Sequence, residues 1–186
     1  MPHALANGGA IEAITGPMFS GKTEELLRRL KRYRIARIPT LLVKPARDTR
    51  TDAIVKSRGG STSDAVIIHE PEELLILAQD FKVIGVDEVQ FEGKTFPGVA
   101  RQLARQGKHL ILAFLDLDFR GEPFEVSRDV LILCSPVDKM VAVCMQCSRM
   151  NATMSQRLTD CKDRIMVGDS EYEARCLSCF EWPRAS

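Results

Sequence analysis

Apolar and polar positions alternate through Ala10–Thr15, and similar strand-like runs recur near 40–44, 65–68, 82–86, 109–115 and 130–133. Between them the spacing changes to that of a helix near 22–37, 71–80 and 95–106. In the first of these, Leu26, Leu27, Leu30 and Tyr33 fall on one face. Strands alternating with helices in this way predict an α/β fold with a mostly parallel sheet. Past about residue 140 the pattern fades. The chain is therefore expected to divide into an α/β domain over 1–140 and a smaller lobe over 141–186. Within the lobe the weakly periodic segment from Ser148 to Arg175 reads as a long loop.

The junction between the first strand and the first helix carries Gly16-Pro17-Met18-Phe19-Ser20-Gly21-Lys22-Thr23, which fits the phosphate-binding pattern G-x-x-x-x-G-K-[ST]. A triphosphate must be held by several backbone N–H groups at once, with a helix N-terminus aimed at it, and glycines let the chain wrap that closely. Lys22 would reach the β- and γ-phosphates, and the Thr23 hydroxyl would bind Mg²⁺. A chance glycine-rich turn would lack the strand before it and the helix after it.

The run Lys82-Val-Ile-Gly-Val-Asp87-Glu88 ends in two carboxylates, as a buried parallel strand does when it delivers acids to the carboxyl edge of a sheet. Asp87 would hold Mg²⁺ opposite Thr23, leaving Glu88 free to take a proton from an attacking hydroxyl.

Six cysteines are placed unevenly along the 186 residues. Cys144-Met-Gln-Cys147 and Cys176-Leu-Ser-Cys179 form two C-x-x-C pairs, the spacing by which two knuckles supply four thiolates to a structural Zn²⁺. Disulfides are disfavoured in a reducing compartment, and a redox motif would not be expected twice. Cys134 reads as a small core residue and Cys161 as a free spare. A zinc-tied loop between the pairs suits a lid over substrate.

Charge narrows the function classes. The net charge is only +1, against a broad electrostatic grip on nucleic acid, so no stable nucleic-acid binding is expected. Arg28, Arg29, Lys31, Arg32, Arg34 and Arg37 crowd one helix and read as a solvated or subunit-facing side. No run of 18 apolar residues occurs and the first residues lack signal-peptide character, so no membrane partner and a cytoplasmic location are expected. His3, His69 and His109 have no partner at a telling spacing. A nucleic-acid-stimulated ATPase or a non-catalytic nucleotide-binding zinc module would share several of these features.

Taken together, Gly16-Pro-Met-Phe-Ser-Gly-Lys-Thr-Glu-Glu-Leu, Arg47-Asp-Thr-Arg50, Val86-Asp-Glu-Val-Gln-Phe91, Leu115-Asp-Leu-Asp-Phe-Arg-Gly-Glu-Pro-Phe124, Thr153-Met-Ser-Gln-Arg-Leu158 and Tyr172-Glu-Ala-Arg-Cys176 resemble the type II thymidine kinases of bacteria, animals and some large DNA viruses. The resemblance spans about residues 10 to 180. It implies a RecA-like phosphate-loop core with a zinc lobe, and transfer of the ATP γ-phosphate to the 5′-hydroxyl of thymidine. Glu88 would be the general base. Arg50 would stabilise charge on the transferred group, with Asp48 fixing that region. Met18, Phe91, Leu115, Phe119 and Phe124 would form an apolar slot for the thymine ring, although the last three could equally be ordinary core. Ser155 would contact the base, and Tyr172 with backbone near Val167 and Gly168 would close over it. A homotetramer and feedback inhibition by thymidine triphosphate are implied as well. Two details depart from the family: the stretch from Val167 to Tyr172 is shorter by a residue, and Leu177 replaces an arginine. Thymidine and deoxyuridine are therefore not ranked by sequence.

Overall fold

The computed structural model describes residues 8–46, 54–56, 59–60, 62–159 and 170–182. Strand β1 (Ala10–Thr15) is followed by helix α1 (Lys22–Ile35), then by β2 (Thr40–Pro45), β3 (Ile54–Lys56), β4 (Thr62–Asp64) and β5 (Val66–Ile68). Next come α2 (Glu73–Leu77), β6 (Val83–Val86), a 3-10 turn at Val89–Phe91, α3 (Phe96–Arg105), β7 (His109–Phe114) and α4 (Glu125–Leu131). The chain ends with β8 (Val137–Lys139), β9 (Met154–Arg157) and β10 (Tyr172–Arg175).

Six strands form one parallel sheet in the order β5-β2-β6-β7-β1-β8. The expected α/β fold is therefore present, and one strand, β7, separates the phosphate-loop strand β1 from the acid-bearing strand β6, as in a RecA-like core. Alternation along each strand sends side chains to two separate cores. Leu41, Val43, Ile84, Val86, Leu110, Leu112 and Phe114 face the helices α2, α3 and α4. Leu42, Val83, Ile111 and Ala113 face Leu26, Leu27 and Leu30 of α1. Helix α1 comes so close that a Cβ added at Gly85 would stand 2.6 Å from a Leu30 methyl. The middle of α1 therefore packs directly against β6.

Three expectations fail. The apolar run near 130–133 is not a strand: its first residues close helix α4, because Val126 and Val130, four apart, both reach the core while Ile132 is 82% exposed. The sixth sheet strand is instead the polar, exposed β8, which pairs with β1 at the edge. The segment from Ser148 to Arg175 is not simply a loop, since β9 and β10 pair antiparallel within it. Helix α2 also covers only part of 71–80.

Arg28, Lys31, Arg32, Arg34 and Arg37 are exposed, as a solvated side requires, and Arg29 is the exception. Arg29 turns inward to bond Glu25, the buried Glu12 and Asp138, tying α1 to β1 and β8. His109 pairs with Glu12 at 2.9 Å. Burial alone would raise the Glu12 carboxyl, but its His109 and Arg29 partners hold it below its ordinary value. Glu92, 6% exposed just after the 3-10 turn, has no such partner among the described residues. Burial, with the charges of Glu73 and Glu70, pushes its carboxyl up to about 8.

Candidate active site

The turn from β1 into α1 takes a shape that ordinary residues resist. Gly16 and Gly21 have φ of 140° and 84°, and the Met140 carbonyl occupies the space a side chain on Gly16 would need. Phe19 also adopts a left-handed φ of 66°. No side chain caps the first N–H groups of the 14-residue helix α1, which leaves them directed at the loop as an anion cradle. The Ser20 hydroxyl and Lys22 Nζ both donate to the Pro17 carbonyl, at 2.8 and 2.7 Å, so the two polar side chains of the loop converge on one point.

Beneath this cradle the Thr23 hydroxyl donates to the Asp87 carboxylate at 3.1 and 3.3 Å. The two residues named as Mg²⁺ ligands from sequence therefore touch across the α1–β6 junction. Asp87 is 6% exposed. Burial foremost, and then the adjacent Glu88 charge, push its carboxyl up to about 7, against the Thr23 hydrogen bond and the nearby Lys22. A divalent cation suits such a position, because its charge would offset the same desolvation.

Glu88 has φ 55° and ψ 41°, a left-handed conformation that costs a non-glycine residue about 1–3 kcal/mol. Consecutive carboxylates on a strand would normally point to opposite faces. The twist instead starts the 3-10 turn, and the Gln90 side-chain amide donates to Glu88 while its carbonyl oxygen accepts from Leu115 N–H at 3.0 Å. Gln90 thereby ties the acid to the end of β7.

Phe91 ends the 3-10 turn that follows this acid. Phe91 and Phe124 meet edge to face at 6.4 Å between centroids. Leu115 ends β7, and its carbonyl accepts from Ser127 Oγ at 2.7 Å. Phe119 lies on the loop shaped by Asp118, which accepts N–H bonds from Arg120 and Glu122. Met18 joins the group through its backbone: its N–H donates to Ser155 Oγ at 3.0 Å, a bond between the phosphate loop and β9. Tyr172, on β10, is buried with its hydroxyl accepting from Arg157 at 2.6 Å. Asp48, Arg50, Cys161, Val167 and Gly168 lie outside the described residues.

Two residues of this region carry no role in the sequence reading. Arg157 is buried, with its guanidinium carbon 3.6 Å from the centre of the Phe119 ring. Lys44 is 1% exposed on β2, one residue past the Val43–Val86 pair, and so lies beside Asp87 in the sheet. Lys44 has a faint signal in the sequence, as a lysine inside an apolar strand, whereas Arg157 follows Ser155 and Gln156 and has none.

The sulfur atoms of Cys144, Cys147, Cys176 and Cys179 all lie within 4.8 Å of one another. Cys147 and Cys176 are 3.8 Å apart, matching the edge of about 3.8 Å expected for a tetrahedron with Zn–S bonds of about 2.3 Å. Burial acts to raise the Cys144 thiol, but N–H groups of Cys176, Cys147 and Gln146 bring it down to about 6, favouring the thiolate a metal needs. The four cysteines can thus hold a metal ion. Cys134, by contrast, donates to the Val130 carbonyl at 3.2 Å, and burial pushes its thiol up to about 12.

Comparison with known proteins agrees over nearly the whole chain. A family model described as thymidine kinase matches residues 9–180. A thymidine kinase of Coprothermobacter proteolyticus is 44% identical over 96% of this chain and 94% of its own length. One from Rhodothermus sp. is 40% identical over 98% of this chain and 88% of its own. One from Halobacterium salinarum is 40% identical over 95% and 96% respectively.

Proposed function

The chain belongs to the thymidine kinase family, and on that premise we propose that it transfers the γ-phosphoryl group of ATP to the 5′-hydroxyl of thymidine, giving thymidine 5′-phosphate and ADP in nucleotide salvage. The observation that carries this reading is the junction of Thr23 and Asp87 below the phosphate loop, with Glu88 held one residue further on in a left-handed conformation by Gln90, which also accepts from Leu115 N–H.

The phosphate-loop backbone and Lys22 hold the triphosphate. Thr23 and Asp87 would hold Mg²⁺, which supplies neutralisation of charge on the β- and γ-phosphate oxygens. Glu88 accepts the proton of the nucleoside 5′-hydroxyl as that oxygen attacks phosphorus and the bond to the leaving ADP breaks. Arg50, positioned with help from Asp48, stabilises the transferring group. Met18, Phe91, Leu115, Phe119 and Phe124 enclose the thymine ring, with Ser155, Tyr172 and backbone at Val167 and Gly168 completing the slot.

The sulfur cluster supports structural zinc held by all four cysteines, a closed site rather than a catalytic one. We further take 1–140 as the nucleotide-binding domain and 141–186 as the zinc lobe, since Ala142, Cys144, Ala152, Ala174 and Cys176 form their own buried cluster. Among the described residues no helix is long and apolar enough to cross a membrane. A cytoplasmic homotetramer inhibited by thymidine triphosphate completes the proposal.

The direct test supplies zinc-replete protein with Mg²⁺ and γ-labelled ATP, offering thymidine, deoxyuridine, deoxycytidine, deoxyguanosine or single-stranded DNA separately. Label should appear in thymidine 5′-phosphate. Glu88→Gln should lower kcat by about 10²-fold or more while leaving ATP affinity intact. Phosphate release stimulated only by DNA would overturn the reading.

A further inference from the structure

We propose that Arg157 is a positioning residue for the nucleoside. It fixes the aromatic side of the base slot through Phe119 and Tyr172, and together with Ser155 it makes β9 the strut that sets this slot against the phosphate loop. The proposal rests on the kinase reading above and deepens it.

Side chains two apart on a strand share a face. On β9, Ser155 and Arg157 are such a pair, and both are buried. Ser155 grips the phosphate loop by accepting the Met18 N–H at 3.0 Å. Arg157 grips the other side of the site. Its guanidinium carbon lies 3.6 Å from the centroid of Phe119, and its Nη2 donates to the Tyr172 hydroxyl at 2.6 Å. Tyr172 stands directly opposite Arg157 in the β9–β10 register, so the pair is built into the hairpin.

The chemistry of the guanidinium explains why this position matters. At 6% exposure a charged side chain must be held by specific partners, because burial otherwise opposes it strongly. A planar guanidinium can stack on a ring and donate at its edge at the same time, whereas an ammonium acts as a point charge and cannot fix the orientation of a ring in the same way. Phe119 needs such a fixture. It sits in a tight turn between β7 and α4, closed by the Leu117–Pro123 bridge and the Asp118 bonds, which fix its backbone but leave the rotation of its ring to side-chain contacts. The same guanidinium therefore defines where Phe119 and Tyr172 stand relative to each other, and β9 carries that placement to Met18. Nothing in this role requires Arg157 to touch the reacting atoms.

The test uses full-length, zinc-replete protein and compares Arg157→Lys and Arg157→Met with the parent chain. Both variants should raise KM for thymidine about tenfold or more, the loss expected for a buried charge-assisted bond and stack. KM for ATP should stay within about twofold, and kcat should fall by a smaller factor than KM rises. In a Tyr172→Phe background, Arg157→Met should have a smaller effect than in the parent, because one shared interaction is already gone. An unchanged thymidine KM in Arg157→Met would overturn the proposal. So would equal losses for both substrates with a lowered unfolding temperature, which would mark a general structural role. If Arg157→Met does not fold, Arg157→Lys decides by the same split. Failure of the parent chain to phosphorylate thymidine at all is a distinct result, and it would sink the kinase reading first.

Discussion

The sheet and the cysteine lobe are held together by different physics. Among the described residues, the sheet buries large aliphatic and aromatic side chains on both faces, among them Phe96, Phe114, Ile84, Leu110 and Leu103 on one and Leu26, Leu30 and Ile111 on the other. Around the sulfur cluster the buried set is three alanines and two cysteines. At roughly 25 cal/mol per Å² of apolar surface, alanine methyls contribute little to cohesion. Met154, Tyr172 and Phe180 add some buried area at its margins, and the proposed metal cross-link at sulfur would supply the rest. A region can thus be well defined with only a small core of its own, provided a metal supplies the missing free energy, and the proposed nucleoside site would draw on both kinds of structure.

Removing the metal should sharpen this contrast most. Apparent binding energies for structural zinc are on the order of 10 kcal/mol. Chelation, or Cys176→Ser, should therefore expose residues 141–182 to limited proteolysis and abolish thymidine phosphorylation. ATP binding and the cooperative unfolding of the sheet should survive; first cuts within the sheet would show the contrast to be wrong.

The converse change is Leu112→Ala, at a fully buried position on the central strand β7. It should cost about 2–5 kcal/mol, read as a lower urea midpoint. The rate at which chelator extracts zinc under native conditions should not change, since the lobe does not rest on that core.

Glu92 is an ionisable flaw in the sheet half. With a folded value of about 8 against an ordinary 4.5, the folded chain keeps a proton that the unfolded chain has released. Stability should then fall as pH rises from about 4.5 to about 8 and level off above. Glu92→Gln should remove that slope and raise stability at pH 8 by on the order of 2 kcal/mol. Parallel pH profiles for the two proteins would exclude Glu92 as the source.

The smallest expected effect concerns the link between the two regions. Ser155→Ala leaves the Met18 N–H without its acceptor. It should cost about 1 kcal/mol and raise KM for both substrates a few-fold, because Met18 belongs to the phosphate loop and to the base slot.

Much of this was readable in the chain. Strands β1, β2, β6 and β7 and helices α1 and α3 fall within a residue or two of the positions their periodicity predicts, because each buries one or both faces in a core made of the same apolar residues. The phosphate loop, Asp87, Glu88 and the four cysteines were legible because their chemistry demands fixed residue types at short spacings. What escaped were elements whose order is supplied by neighbours. Strand β8 is exposed and polar and exists because β1 offers an edge. The β9–β10 hairpin is rich in Ser, Gln, Glu and Arg, and is ordered by the sulfur cluster at its base and by contacts to the phosphate loop.

By itself, then, the sequence determined most of the sheet, the phosphate-loop and cysteine-pair motifs and the family, since all of these depend on local periodicity or on motifs a few residues long. Only the tertiary structure decided that Glu88 turns left-handed, that Arg29 points inward, and that Arg157 sits over the Phe119 ring. Each depends on groups far apart in the chain meeting where water is excluded, and there a charge or a strained backbone persists only because specific partners surround it.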